Sequence, residues 1–148
     1  GSDDTRLRFT SYVSWLDSFR IQQLPSAPYQ EQAGTIGGGS AFPRWKANTT
    51  LSLGNDQFSG LLRWRYTGAM GDVSRITDAA SKVPGVSAYS YFDASLEMRV
   101  AERYSLRLGV NNIGDKEPPV VSGVAGSTDA GTYDILGRTW YAAIMARF

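Results

Sequence analysis

Residues 89–113, YSYFDASLEMRVAERYSLRLGVNNI, decide the fold class. Phe92, Ala94, Leu96, Met98 and Val100 alternate with Asp93, Ser95, Glu97 and Arg99, and after Ala101-Glu102-Arg103 the alternation resumes with Tyr104, Leu106, Leu108 and Val110 against Ser105, Arg107 and Asn111. An extended chain points successive side chains to opposite faces, so a period of two on either side of a three-residue break predicts two long strands joined by a tight antiparallel turn. The same period continues in both directions. It predicts six strands, at about 6–19, 44–54, 57–67, 89–101, 103–113 and 138–148. Most are nearer ten residues than the five or six usual in soluble sheets. The chain is expected to be all-β and antiparallel.

Composition limits what such a sheet can do. At 148 residues, 42% hydrophobic and 20% charged, the chain has the make-up of a folded domain. A formal charge of +1 supplies no broad basic field, so nucleic acid is not an expected partner. With no Cys and no His there are no disulfides, no thiolate or imidazole metal ligands and no Ser-His-Asp triad, and neither metal nor cofactor is expected. No apolar run reaches eighteen residues, which removes a transmembrane helix and leaves a membrane barrel open. The start has no charged segment followed by an apolar one, so the chain is expected to be a piece, or to have lost its leader. Gly1-Ser2 reads equally as native loop or as an added scar.

The connections alternate in length. Gly54-Asn55-Asp56 and Ala101-Glu102-Arg103 are hairpin-sized, whereas 20–43, 68–88 and 114–137 are long and rich in Gly and Pro. In an up-and-down sheet every second connection emerges at the same end. One rim therefore carries tight turns and the other large loops, as in an outer-membrane barrel. The glycines at 34 and 37–39 do not make a phosphate cradle and are expected to be flexible loop.

Alternation alone also fits a soluble sandwich. The discriminating feature is where the rings lie, because a bilayer has two interfaces that favour amphipathic aromatics and an aliphatic middle. On the apolar face, Phe9, Phe58, Tyr104 and Phe148 fall at the tight-turn rim. Trp15, Phe19, Trp45, Trp64, Tyr66, Phe92 and Trp140 fall toward the loop rim. Between the two belts lie mainly Val13, Leu51, Leu62, Leu96, Met98, Leu106, Leu108 and Ile144. Charges with lipid-facing parity are expected only at strand ends, at Arg6, Asp17 and Arg138.

Several blocks resemble the carboxy-terminal barrel section of TonB-dependent outer-membrane receptors. They are Phe42-Pro43-Arg44-Trp45-Lys46, Trp64-Arg65-Tyr66-Thr67-Gly68, Tyr91-Phe92-Asp93, the run Leu108 to Pro119 containing Asn111-Asn112-Ile113-Gly114-Asp115-Lys116, then Thr132-Tyr133-Asp134-Ile135-Leu136-Gly137-Arg138, and the final Phe148. The resemblance implies a transmembrane barrel of about 22 strands filled by a plug domain, of which residues 1–148 supply the last six strands, without the plug or the segment that engages TonB. Six strands do not close a membrane barrel. The expected partners are the rest of the barrel and its plug, whether or not these lie on a separate chain, the TonB complex through the missing part, and outer-membrane lipid. The expected role is wall and external loops for energised uptake of a scarce bulky solute, with a ferric siderophore foremost.

The resemblance assigns one residue role, and strand parity and loop position assign the others. Phe148 and its strand match the recognition signal of the barrel assembly machinery. Lys46, Arg63, Arg65, Asp93, Glu97, Arg99, Arg107 and Arg147 would line the lumen. There they serve either as an electropositive wall for anionic ligands or, the preferred reading, as salt bridges among wall strands and to the plug. Ligand contacts are expected from the long loops, at Tyr29, Gln30, the 34–42 stretch, Arg75, Asp78, Thr128, Asp129 and Tyr133. No catalytic role is expected. Two rivals remain: a soluble β-sandwich or barrel that binds carbohydrate, and a surface hydrolase using Asp93 or Glu97. The second is weakened by the separation of those carboxylates, about 13 Å along one strand.

Overall fold

The computed structural model describes residues 4–121 and 128–147; Phe148, with its girdle and assembly roles, lies outside them. The strands in chain order are β1 (Arg6–Trp15), β2 (Arg20–Ile21), β3 (Gln30–Glu31), β4 (Thr35–Gly37), β5 (Ser40–Phe42), β6 (Trp45–Gly54), β7 (Phe58–Thr67), β8 (Gly71–Asp72), β9 (Tyr89–Ala101), β10 (Tyr104–Asn111) and β11 (Thr139–Ala146). A 3-10 turn covers Val73–Ile76. The six long strands form one antiparallel sheet in the order β1-β6-β7-β9-β10-β11. The sheet is open, with β1 and β11 at its edges.

Register joins the predicted apolar parities into one surface. Phe9, Leu51, Leu62, Ala94, Val110 and Trp140 form a single row across all six strands. The adjacent row, Arg8, Ser52, Leu61, Ser95, Gly109 and Tyr141, faces the other way. Arg6 pairs with Gly54 and shares the parity of Arg8, so it belongs to the polar face rather than the lipid-facing parity expected from the sequence. Asp17 and Arg138 lie just outside their strands.

The first strand ends earlier than predicted. The Leu16 N–H donates to the Arg44 carbonyl at 2.8 Å, and the Arg44 guanidinium bonds the Leu16 and Asp17 carbonyls, so the chain peels away from β6. Phe19 consequently leaves the sheet and packs on Phe42, ring centroids 4.7 Å apart. It is not part of a strand-borne girdle. β10 stops at Asn111 because Asn112 takes a left-handed conformation, φ 53°.

The tight turns are staggered. The β6–β7 hairpin closes at Gly54–Ser59, and that row continues into Glu97 and Arg107; the β9–β10 hairpin closes at Ala101–Tyr104, four residues farther along β9 and three along β10.

The apolar core sits in the loops and not on the sheet's apolar face. Its buried members are Ile36, Met70, Val86, Tyr91, Val121 and Tyr133, with Ala41 and Tyr89 packed against them. On the apolar face Trp15, Leu62, Trp140 and Ile144 stay open, the last two 75% and 76% exposed. The described parts of the long loops are accordingly not the unstructured connections that their Gly and Pro content suggests. Gly37, expected in a flexible stretch, has φ +138° within β4, and a Cβ there would meet a Val73 methyl at 2.7 Å. Only glycine fits that position.

Candidate functional site: the polar face beneath the loops

Antiparallel register sets Arg63 of β7 directly opposite Asp93 of β9, and the strand period brings Arg65 onto the same face one step toward the loops. Asp93, 3% exposed, accepts four hydrogen bonds: from Arg63 Nε at 2.8 Å, Arg65 Nε at 2.8 Å, an Arg65 terminal nitrogen at 2.9 Å and the Asn112 backbone N–H at 2.8 Å. A buried carboxylate is tolerable when its lone pairs are filled in this way. Arg65 also turns its terminal nitrogens to Asp134 of the third loop, at 3.0 and 2.5 Å. One planar guanidinium thus bridges wall and loop, as its fork of donors allows.

The motifs quoted from the sequence form the rest of this junction. The Asn112 side chain grips both the N–H and the carbonyl of Lys116, each at 2.9 Å, which reverses the chain after β10. Asp115 accepts from the Arg138 N–H at 2.8 Å, tying the two ends of the third loop together. The Asp134 N–H donates to the Tyr91 hydroxyl, and the Lys116 ammonium lies 3.8 Å from the centre of the Tyr89 ring. Tyr133 packs edge-on to Tyr89, and burial, with the charges of Tyr91 and Asp129 adding to it, pushes its hydroxyl up to about 12.

Of the expected lumen charges, the structure assembles Arg63, Arg65 and Asp93 into one network. Arg107 and Glu97 form a separate pair at 2.5 Å toward the tight turns. Lys46, Arg99 and Arg147 are exposed, and among the described residues none of them has an ion-pair partner.

The expected ligand residues are distributed over three loops. Tyr29 is exposed and Gln30 pairs with Ile21 in the β2–β3 ribbon. Arg75 and Asp78 lie exposed at the 3-10 turn. Thr128 is half-buried, and Asp129 and Tyr133 are buried, the last inside the loop core. Of these residues, Tyr133 enters the core that the three loops share.

Sequence reasoning missed Asp134, Asn112, Tyr89 and Tyr91 as parts of this junction. The last two left a signal: both have the parity of Asp93, where a large ring has no place among charges unless something packs on it.

No protein-family model and no curated protein matches the chain. Among solved structures, it is similar to the ferric enterobactin receptor of Pseudomonas aeruginosa, with 20% sequence identity and a TM-score of 0.59 over 96% of this chain and 20% of that one. At that identity the likeness speaks for the fold: an open six-stranded antiparallel sheet with long loops at one rim, spanning about a fifth of the length of a larger receptor chain.

Proposed function

We propose that this chain is the wall and external-loop portion of a TonB-dependent transporter in the outer membrane of a Gram-negative bacterium, the last six strands of a barrel of about 22, serving uptake of a ferric siderophore. The carrying observation is the uncovered apolar face, continuous over six strands and ringed by aromatics. A soluble carbohydrate-binding sandwich would need a second layer over that face, and among the described residues there is none. The hydrolase rival loses its actors, since Asp93 and Glu97 are both committed to arginines.

The register supports the same reading independently of the rings. Three to four residues at ~3.3 Å each, over two strand steps of ~4.8 Å, give a tilt of roughly 46–54°, a stagger of the kind membrane barrels show, somewhat above their usual ~35–45°. Tilt also explains how Phe9 and Trp140 occupy one row yet belong to opposite girdles. Five strand steps span ~24 Å, and at a 40° tilt the two ends of the row differ in height by ~15 Å, much of an apolar band about 25 Å tall.

In this reading the polar face lines the lumen, against the plug, and the loops lie outside. Energy comes from TonB acting on the missing part, assembly proceeds through the terminal strand and Phe148, and the chain itself performs no catalysis. The ferric siderophore assignment is supported by what the similar receptor is named for.

All four tryptophans, Trp15, Trp45, Trp64 and Trp140, lie on the apolar face, which supplies a direct test. Refolded into vesicles, the protein should lose Trp fluorescence to brominated lipids, more to bromines near the headgroups than to those at the bilayer centre. Equal emission in brominated and ordinary lipid would remove the membrane reading.

A further inference from the structure

The three long loops, residues 16–44, 68–88 and the described parts of the third, 112–121 and 128–138, are bound to one another more closely than a set of independent fingers. Ile36 and Ala41 of the first, Met70 and Val86 of the second, and Val121 and Tyr133 of the third share one core with Tyr89 and Tyr91 at the top of β9. Backbone bonds cross the same boundaries. β4 of the first loop pairs in parallel with β8 of the second, and the Gly71 N–H donates to the Gly34 carbonyl at 2.9 Å. Within the second loop Met70 and Val86 exchange hydrogen bonds in both directions, at 2.9 and 2.8 Å. That approach is so close that a Cβ on Gly85 would stand 2.1 Å from the Met70 carbonyl oxygen.

Among the described residues each loop gives this core two side chains. A core this small is a cooperative unit, and removing one loop's share exposes the others'.

Backbone bonds at Asn112, Ile113 and Asp134 and the Tyr89 hydroxyl on the Glu117 carbonyl also join loop and wall, but among the described residues the ion pair between this unit and the wall runs through one side chain. Arg65, 28% exposed, stands between Asp93 of β9 and Asp134 of the third loop. Arg63 and Arg65 balance the two carboxylates. Without the Arg65 guanidinium, Asp134 would lose its ion-pair partner and Asp93 would keep Arg63 alone.

We propose that the three loops open and close as one body, and that Arg65 is the latch holding that body to the sheet. Any solute passing between the polar face and the outside then displaces all three loops in one event. The proposal rests on the loop and wall contacts alone, so it stands or falls separately from the membrane reading.

Hydrogen exchange on the full chain, in lipid nanodiscs or in whichever detergent or buffer keeps it folded, tests it. The amides of Gly71, Met70 and Val86, together with Gly34 and Thr35 of the first loop and Tyr133 of the third, should exchange with one common opening rate. Arg65→Gln should speed all of them together by about 10-fold or more, the scale of losing hydrogen bonds to a charged group, while amides in the middle of β6, β7 and β10 keep their protection. Met70→Ala should act the same way from within the second loop. Distinct rates for the three loops, or acceleration confined to the third, would overturn the single body. Unchanged rates in Arg65→Gln would overturn the latch. Should that variant unfold the wall as well, Asp134→Asn, which leaves the Arg65–Asp93 contact in place, decides between the same outcomes.

Discussion

Asp93 shows how much one side chain can carry. It is buried, it holds Arg63 and Arg65, and it fixes the first residue after β10 through the Asn112 N–H. Asp93→Asn keeps the shape and removes the charge, leaving two half-buried guanidiniums short of a partner. The expected loss is ~2–4 kcal/mol, read as thermal stability in detergent. Glu97→Gln removes the partner of Arg107 from an exposed pair and should cost under ~1 kcal/mol. Equal effects from the two variants would mean that the buried network adds nothing beyond a surface pair. At this scale the sequence was legible by sign and parity: the alternation placed Arg63, Arg65 and Asp93 on one face, and salt bridging was their preferred role. Asp134 was not legible as the fourth member, because it lies 69 residues from Arg65 and belongs to no strand whose parity could place it. Arg6, expected among the lipid-facing positions, stands two residues from Arg8 and so follows the polar parity that the alternation itself sets.

The elements divide by length. Strands of eight residues or more, and the tight turns between them, were readable because alternation over several periods leaves little freedom in register. The ribbons inside the loops, two or three residues per strand, are shorter than any pattern can reveal, and their stability comes from single side chains. The β2–β3 ribbon is an instance. Its two residue pairs are held by the Glu31 carboxylate, which accepts from the Ser18 hydroxyl at 2.5 Å, the Phe19 N–H at 2.8 Å and the Ala33 N–H at 2.9 Å. The Ser18 bond and the two backbone donors together lower its pKa from 4.5 to about 2. A carboxyl depressed in the folded state stabilises that state fully above its unfolded value and loses the contribution as pH falls through the folded one. The ribbon should therefore hold above about pH 4.5 and open progressively between there and about pH 2. Exchange of the Phe19 and Ala33 amides, corrected for the intrinsic rate at each pH, measures this. Glu31→Gln should abolish the pH dependence, and an identical acid response in that variant would place the titrating group elsewhere. The over-long prediction for β1 has a related cause. Trp15, Asp17 and Phe19 keep the alternating parity, yet Arg44 captures the carbonyls of Leu16 and Asp17 and turns the chain out of the sheet.

At the scale of the whole molecule two kinds of surface are left uncovered, an apolar face and two strand edges, and they call for different remedies. One face of the sheet presents Leu7, Phe9, Trp140 and Ile144 at roughly two-thirds to three-quarters exposure, a continuous apolar surface far beyond what water-soluble monomers carry. β1 and β11 each have a strand on one side only, which leaves a row of backbone donors and acceptors unpaired along both edges. Detergent or lipid tails cover the first defect but offer no hydrogen bonds to the second; further strands cover the second but, unless they fold over the sheet, not the first. Three sizes should follow in sedimentation. In plain buffer the chain should aggregate, driven by face and edges together. In detergent the face is covered and the edges are free, so the chain should form small oligomers by strand pairing through β1 and β11. In detergent with the other strands of the proposed barrel supplied, it should become a single species of one-to-one composition, because both edges then have partners. A monodisperse 148-residue monomer in plain buffer would contradict the account at its root, since it would require both the apolar face and the edges to be satisfied by a packing other than this open sheet.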